Sequence, residues 1–120
     1  MKPKQLVSTG KVIWIEANGE SSSPIRFVID EDKLYFLRNG RHERVPPIRN
    51  GQKVKVIGHP LAKQTRSGEA EAIVTFVSPD DLPQSVLLEL AGTYYDPRLS
   101  PDENCTRLAS ILQVARLDLT

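Results

Sequence analysis

Through the first two thirds of the chain, apolar and polar residues alternate with a period of two, the pattern of half-buried strands. Residues 10–17 (GKVIWIEA) are rich in β-branched and aromatic side chains and stop at Asn18-Gly19, a turn dipeptide. Residues 20–23 form a polar loop, and Pro24 opens a strand over 25–30, where Ile25, Phe27 and Ile29 share one side. Glu31-Asp32 makes a tight connection to a returning strand over 33–38, which Asn39-Gly40 ends. Residues 41–50 are irregular, because Pro46 and Pro47 exclude a central strand or a helix interior. After the Asn50-Gly51 turn, residues 53–58 place Val54 and Val56 on one side and Lys53 and Lys55 on the other. A basic loop over 60–68 leads to a fifth strand over 70–77.

At Ser78-Pro79 the grammar becomes helical. Asp81 is the expected N-cap of a first helix, with Pro83 in its first turn, Gln84 closing a capping box and Gly92 as its stop. Val86, Leu87 and Leu90 form its apolar stripe. Ser100-Pro101-Asp102-Glu103 is a stronger capping box. It starts a helix predicted to run to about Arg116, with Leu108, Ile111, Leu112 and Ala115 on one face. The expected organisation is a β unit over 1–78 and a helical C-terminal extension over 79–120, packed on that unit or on a partner.

The 120 residues suit one domain of ordinary size. No apolar run is long enough to span a membrane. Lys2 and Lys4 precede no apolar stretch, so no signal peptide is expected. The single cysteine, Cys105, cannot form an internal disulfide, and with His42 and His59 it is too little for a zinc site. A cytoplasmic location and no cofactor or metal are the expectation. The net charge of +1 conceals an asymmetry, for residues 38–66 carry Arg38, Arg41, Arg44, Arg49, Lys53, Lys55, Lys63 and Arg66 against the single acid Glu43. An electropositive surface is predicted there.

Five short strands with no helix among the first four suggest a closed barrel. Thr9-Gly10-Lys11-Val12, Phe27-Val28-Ile29-Asp30, residues 51–58 (GQKVKVIG) and residues 68–72 (GEAEA) follow one another in an order that resembles the OB-fold nucleic-acid-binding family, particularly its anticodon-type and single-strand-binding branches. The resemblance covers roughly residues 6–78 and none of the tail. It departs from the family where a helix often lies between the third and fourth strands, for residues 41–50 have no helical period. The fold class it implies is mainly β, a five-stranded OB-type barrel with a two-helix C-terminal extension.

Such a barrel implies binding of single-stranded RNA or DNA, in which cations track phosphates and aromatic rings stack on bases. The candidate cations are Arg26, Arg38, Arg41, Arg44, Lys53, Lys55, Lys63 and Arg66. Lys53 and Lys55 are about 7 Å apart on one strand face, close to the spacing of phosphates in an extended strand. Tyr35, pointing away from Phe36 and carrying a hydroxyl, is the better stacking candidate, and Trp14 is the second. Phe27, Phe36 and Phe76 share parity with core residues. No catalytic constellation is apparent. Ser21, Ser22 and Ser23 have no histidine that the sequence can place beside them, and Asp30, Glu31 and Asp32 suit a polar turn. The rival reading is a protein–protein adaptor, or self-association through the tail, because barrels of this type are reused in assemblies.

Overall fold

The structure is a computed structural model and describes residues 12–40, 43–58 and 68–120. Strand β1 (Val12–Ala17) turns into the short β2 (Glu20–Ser21) through Asn18 and Gly19, at φ 55° and 79°. Positive φ at both central residues gives a two-residue hairpin the twist that its strands need. Glu31 and Asp32, at φ 48° and 63°, do the same where Asp30 of β4 (Val28–Asp30) pairs with Lys33 of β5 (Lys33–Leu37). The strand expected over 25–30 is two strands, β3 (Ile25–Arg26) and β4, parted at Phe27. They pair with different neighbours: β3 with β1, β4 with β5.

With β6 (Lys53–Gly58), β7 (Glu69–Val77) and β8 (Val114–Leu119), these strands form one antiparallel sheet of 8 strands. Its order is β2-β1-β6-β7-β8-β5-β4, and β3 joins at β1. The strand count therefore exceeds the expected five. One addition, β2, comes from the loop expected over 20–23, and another, β8, from the tail.

That second addition corrects the expected long helix. Helix α1 is Gln84–Ala91, and α2 is Pro101–Ile111. Leu112 already has extended backbone, at φ −86° and ψ 138°. From Val114 onward the sequence alternates, with Ala115 and Leu117 on one side and Val114, Arg116 and Asp118 on the other. Pairing with β5 and β7 on both edges satisfies that alternation and overrides the helical pattern. The Ser100 cap forms as expected, its Oγ accepting the Glu103 N–H at 3.1 Å. Asp81 instead ends a short 3-10 turn (Pro79–Asp81), and Pro83 occupies the N-cap of α1 without a side-chain bond.

Two apolar clusters sit on opposite faces of the sheet. The first gathers Ile13, Ile15, Ile25, Leu34, Phe36, Val54, Val56, Val74 and Leu117, with Phe27 and Ile29 partly buried against it. Val45 and Ile48 of the β5–β6 connection also pack on it, so the segment expected to be irregular covers part of this cluster without a helix. The second cluster joins Val28, Tyr35, Leu37 and Val114 to Val86, Leu87 and Leu90 of α1 and Leu108 of α2. Strand β5 is thus buried on both faces, which is why Leu34 through Leu37 are all inaccessible.

Candidate nucleic-acid interface

The outward face of β1, β6 and β7 holds the first group of expected contacts. Lys53 and Lys55 are exposed, as their alternation with buried Val54 and Val56 requires. Register then sets their neighbours. Lys55 lies opposite Glu16 on β1 and Glu71 on β7. Lys55 Nζ is 3.8 Å from Glu16 Oε2, and Lys53 Nζ is 3.1 Å from Glu71 Oε2. With Glu69 opposite Ile57, this face carries three carboxylates for two ammonium groups. The pairs are solvent-exposed and each stabilises the fold by only about 0.2–1 kcal/mol. Their larger effect is to cancel the local field. Trp14 shares this face, half-buried and directly across from Ile57.

Tyr35 does not offer a stacking surface. It points away from Phe36 as expected, but α1 and α2 cover that side, and only 8% of Tyr35 is exposed. Beside it, on β8, Asp118 accepts bonds from Arg116 Nε at 2.8 Å, Arg116 Nη2 at 3.1 Å, Lys33 Nζ at 3.4 Å and Thr75 Oγ1 at 2.9 Å. Partial burial would raise the Asp118 carboxyl, but these donors outweigh it and hold its pKa below the usual value. Arg116 is raised in turn, chiefly by Asp118. This network ties β5, β7 and β8 together and leaves its cations engaged.

Arg26 is also engaged. Its Nε lies 3.6 Å from Glu43 Oε1, and the same oxygen accepts the Arg26 backbone N–H at 3.1 Å. Its guanidinium rests against Gly92, the C-cap of α1, where a Cβ would come within 2.7 Å of Nη2. A cation there complements the negative end of the helix dipole. In the tail, Arg98 pairs with Asp96 at 3.0 Å and pulls that carboxyl down to about 2, while Arg107 donates to the Tyr94 carbonyl.

The β5–β6 connection differs. Arg38 lies over the Phe76 ring, its guanidinium carbon 3.8 Å from the centroid. Arg44 and Arg49 are exposed, and their side chains make no ion pair or hydrogen bond among the described residues. Their backbones, by contrast, are fixed. Arg44 N–H donates to Ser23 Oγ at 2.7 Å, Arg44 C=O accepts from Ser23 N, and Arg49 N–H donates to Gln52 Oε1 at 2.9 Å. The chain is anchored further by Asn18 Nδ2 on the Pro47 carbonyl and by Gly51 N–H on the Val74 carbonyl. Arg49 was not singled out from sequence as a site residue, although it shares this stretch with Arg38 and Arg44 and only one acid. Arg41, Lys63 and Arg66 lie outside the described residues, as do His42 and His59.

The serines considered for catalysis have structural roles: Ser22 is buried with its Oγ accepting from Ile15 N–H, and Ser23 clamps Arg44. Among the described residues, no three His, Cys, Asp or Glu side chains cluster to hold a metal ion, and no helix is long and apolar enough to cross a membrane. Comparison with protein families, curated proteins and solved structures gave no match.

Proposed function

We propose that this chain is a non-catalytic binding module for single-stranded nucleic acid, held mainly through its phosphates along the β5–β6 connection. One observation carries the reading. Every described lysine or arginine outside that connection is partnered by a carboxylate or a carbonyl oxygen, whereas Arg38, Arg44 and Arg49 within it are not. Unneutralised arginines on an anchored backbone are what a polyanion needs, because each phosphate they engage releases counterions. With Tyr35 covered and Trp14 half-buried across from Ile57 on the β6 face instead of in the connection, base stacking has little part in this reading, and discrimination among bases should be slight. The scaffold in this reading is an OB-like barrel, closed where the chain passes through Phe27 from its pairing with β1 to its pairing with β5, and enlarged by β8 between β5 and β7. Such a module would serve in the cytoplasm.

The adaptor reading keeps one specific support. Ile111 is 40% exposed and lines an open hollow of about 630 Å³ with Tyr94, Tyr95 and Pro97 and the charged Asp96, Arg98 and Arg107. Titrating a labelled oligothymidylate and a labelled oligouridylate at two salt concentrations, read by anisotropy, separates the two. Binding that weakens as salt rises supports the nucleic-acid reading. A folded sample that binds neither strand at low salt overturns it and leaves the adaptor.

A further inference from the structure

Arg38 is held differently from Arg44 and Arg49. It follows Leu34 and Phe36 in parity, just past the end of β5, and its backbone N–H extends the ladder to the Gln113 carbonyl at 2.7 Å. The ring beneath it is fixed in turn. Phe76 pairs with Ala115, its N–H donates to Asn50 Oδ1 at 2.9 Å, and its side chain packs on the first apolar cluster. Stacked on that ring, the guanidinium plane is set before any ligand arrives. Its Nε is buried with no hydrogen-bond partner. Neither terminal nitrogen shares that condition, and no side chain or carbonyl among the described residues accepts from them. Glu43, the only acid in residues 38–66, is turned to Arg26. Buried as it is, Nε is closed to a ligand, as Arg107 Nε is, so an anion can meet the Arg38 guanidinium only at its two terminal nitrogens.

We propose that Arg38 is a preset guanidinium fork that takes two oxygens of one phosphodiester in a bound single strand. The inference rests on the single-strand reading and adds geometry to it: Arg44 and Arg49 act as exposed point charges, while Arg38 fixes one phosphate in register. Two parallel N–H···O bonds need a planar fork, which lysine cannot supply although it keeps the charge. The pair of substitutions Arg38→Lys and Arg44→Lys therefore separates geometry from charge.

The test is anisotropy of a labelled oligothymidylate of about 16 nucleotides, a length that one such module can cover, titrated with the full chain and each variant across a salt series. Arg38→Lys should bind about tenfold more weakly with the salt slope retained, and Arg44→Lys should stay within about twofold of the parent. On the parent chain, the Arg38 side-chain nitrogen resonances should shift on titration with the same oligonucleotide, a readout that does not depend on how the variant folds. If Arg38→Lys binds like the parent, or those resonances stay in place while the strand binds, the fork is wrong and the single-strand reading survives. If the parent binds no strand at low salt, both fall.

Discussion

Strand β6 and the connection that precedes it are neighbouring parts of one basic segment, and they meet different surroundings. On β6, each outward lysine stands in a ladder whose partners are set by register, and β1 and β7 supply glutamates there. The described residues of the connection belong to no strand, and the backbone is pinned at Ser23, Asn18, Gln52 and Val74 while Arg44 and Arg49 project without partners among the described residues. Charge counted along a sequence is therefore not charge on a surface. Strand pairing brings in residues from far along the chain, and the eight cations that face one acid over residues 38–66 face three once Glu16 and Glu71 are placed.

Both regions hang from one sheet, so the largest effect should come from breaking it. Leu117 is 1% exposed in the first cluster, on the strand between β5 and β7. Leu117→Ala should cost about 2–5 kcal/mol in chemical denaturation and degrade both regions together. A cost below about 1 kcal/mol would mean that β8 is not integral to the sheet.

Asp118→Asn comes next. It removes the charge that Arg116 and Lys33 address and should cost about 1.5–3 kcal/mol. The same network sets a pH dependence. Because the folded Asp118 pKa is lowered, its contribution is fully present above the unfolded value, about 3.9, and is lost as pH falls through the folded one. Acid unfolding of Asp118→Asn should accordingly begin from a lower plateau and show a shallower loss than the parent below pH about 4.

The smallest effect on stability, and the sharpest on the comparison, is expected from Glu16→Gln with Glu71→Gln. Thermal unfolding should change by no more than about 1 kcal/mol for each pair removed, since both ion pairs are exposed. Freed from those partners, Lys53 and Lys55 should strengthen single-strand binding and steepen its log–log salt slope by about 0.7 for each lysine that gains a phosphate. An unchanged slope would show that the glutamates do not mask the lysines.

Much of the sheet was legible because its strands are local alternations closed by turn dipeptides. The 53–58 strand, its buried Val54 and Val56, and the hairpins at Asn18-Gly19 and Glu31-Asp32 follow from a few adjacent residues. The Ser100 cap was legible for the same reason. What failed depends on distant pairing. Residues 114–119 satisfy both a helical stripe continuing from Leu108 and a strand alternation, and only the waiting edges of β5 and β7 decide between them. Tyr35 failed likewise: parity placed it correctly on the opposite face from Phe36, but a single strand carries no sign that helices will cover that face. The division of the basic segment into masked lysines and open arginines needed the register of β1 and β7, which no window of sequence contains.

The most direct measurement compares two double variants in one salt series with a labelled single strand: Arg44→Ala with Arg49→Ala, and Lys53→Ala with Lys55→Ala. The connection, not the strand face, is the interface in this account. The arginine pair should flatten the log–log slope by about 1.4, at about 0.7 per phosphate contact, and the lysine pair should leave it within about 0.3 of the parent. A lysine pair that flattens the slope while the arginine pair does not would contradict the account and return the interface to β6.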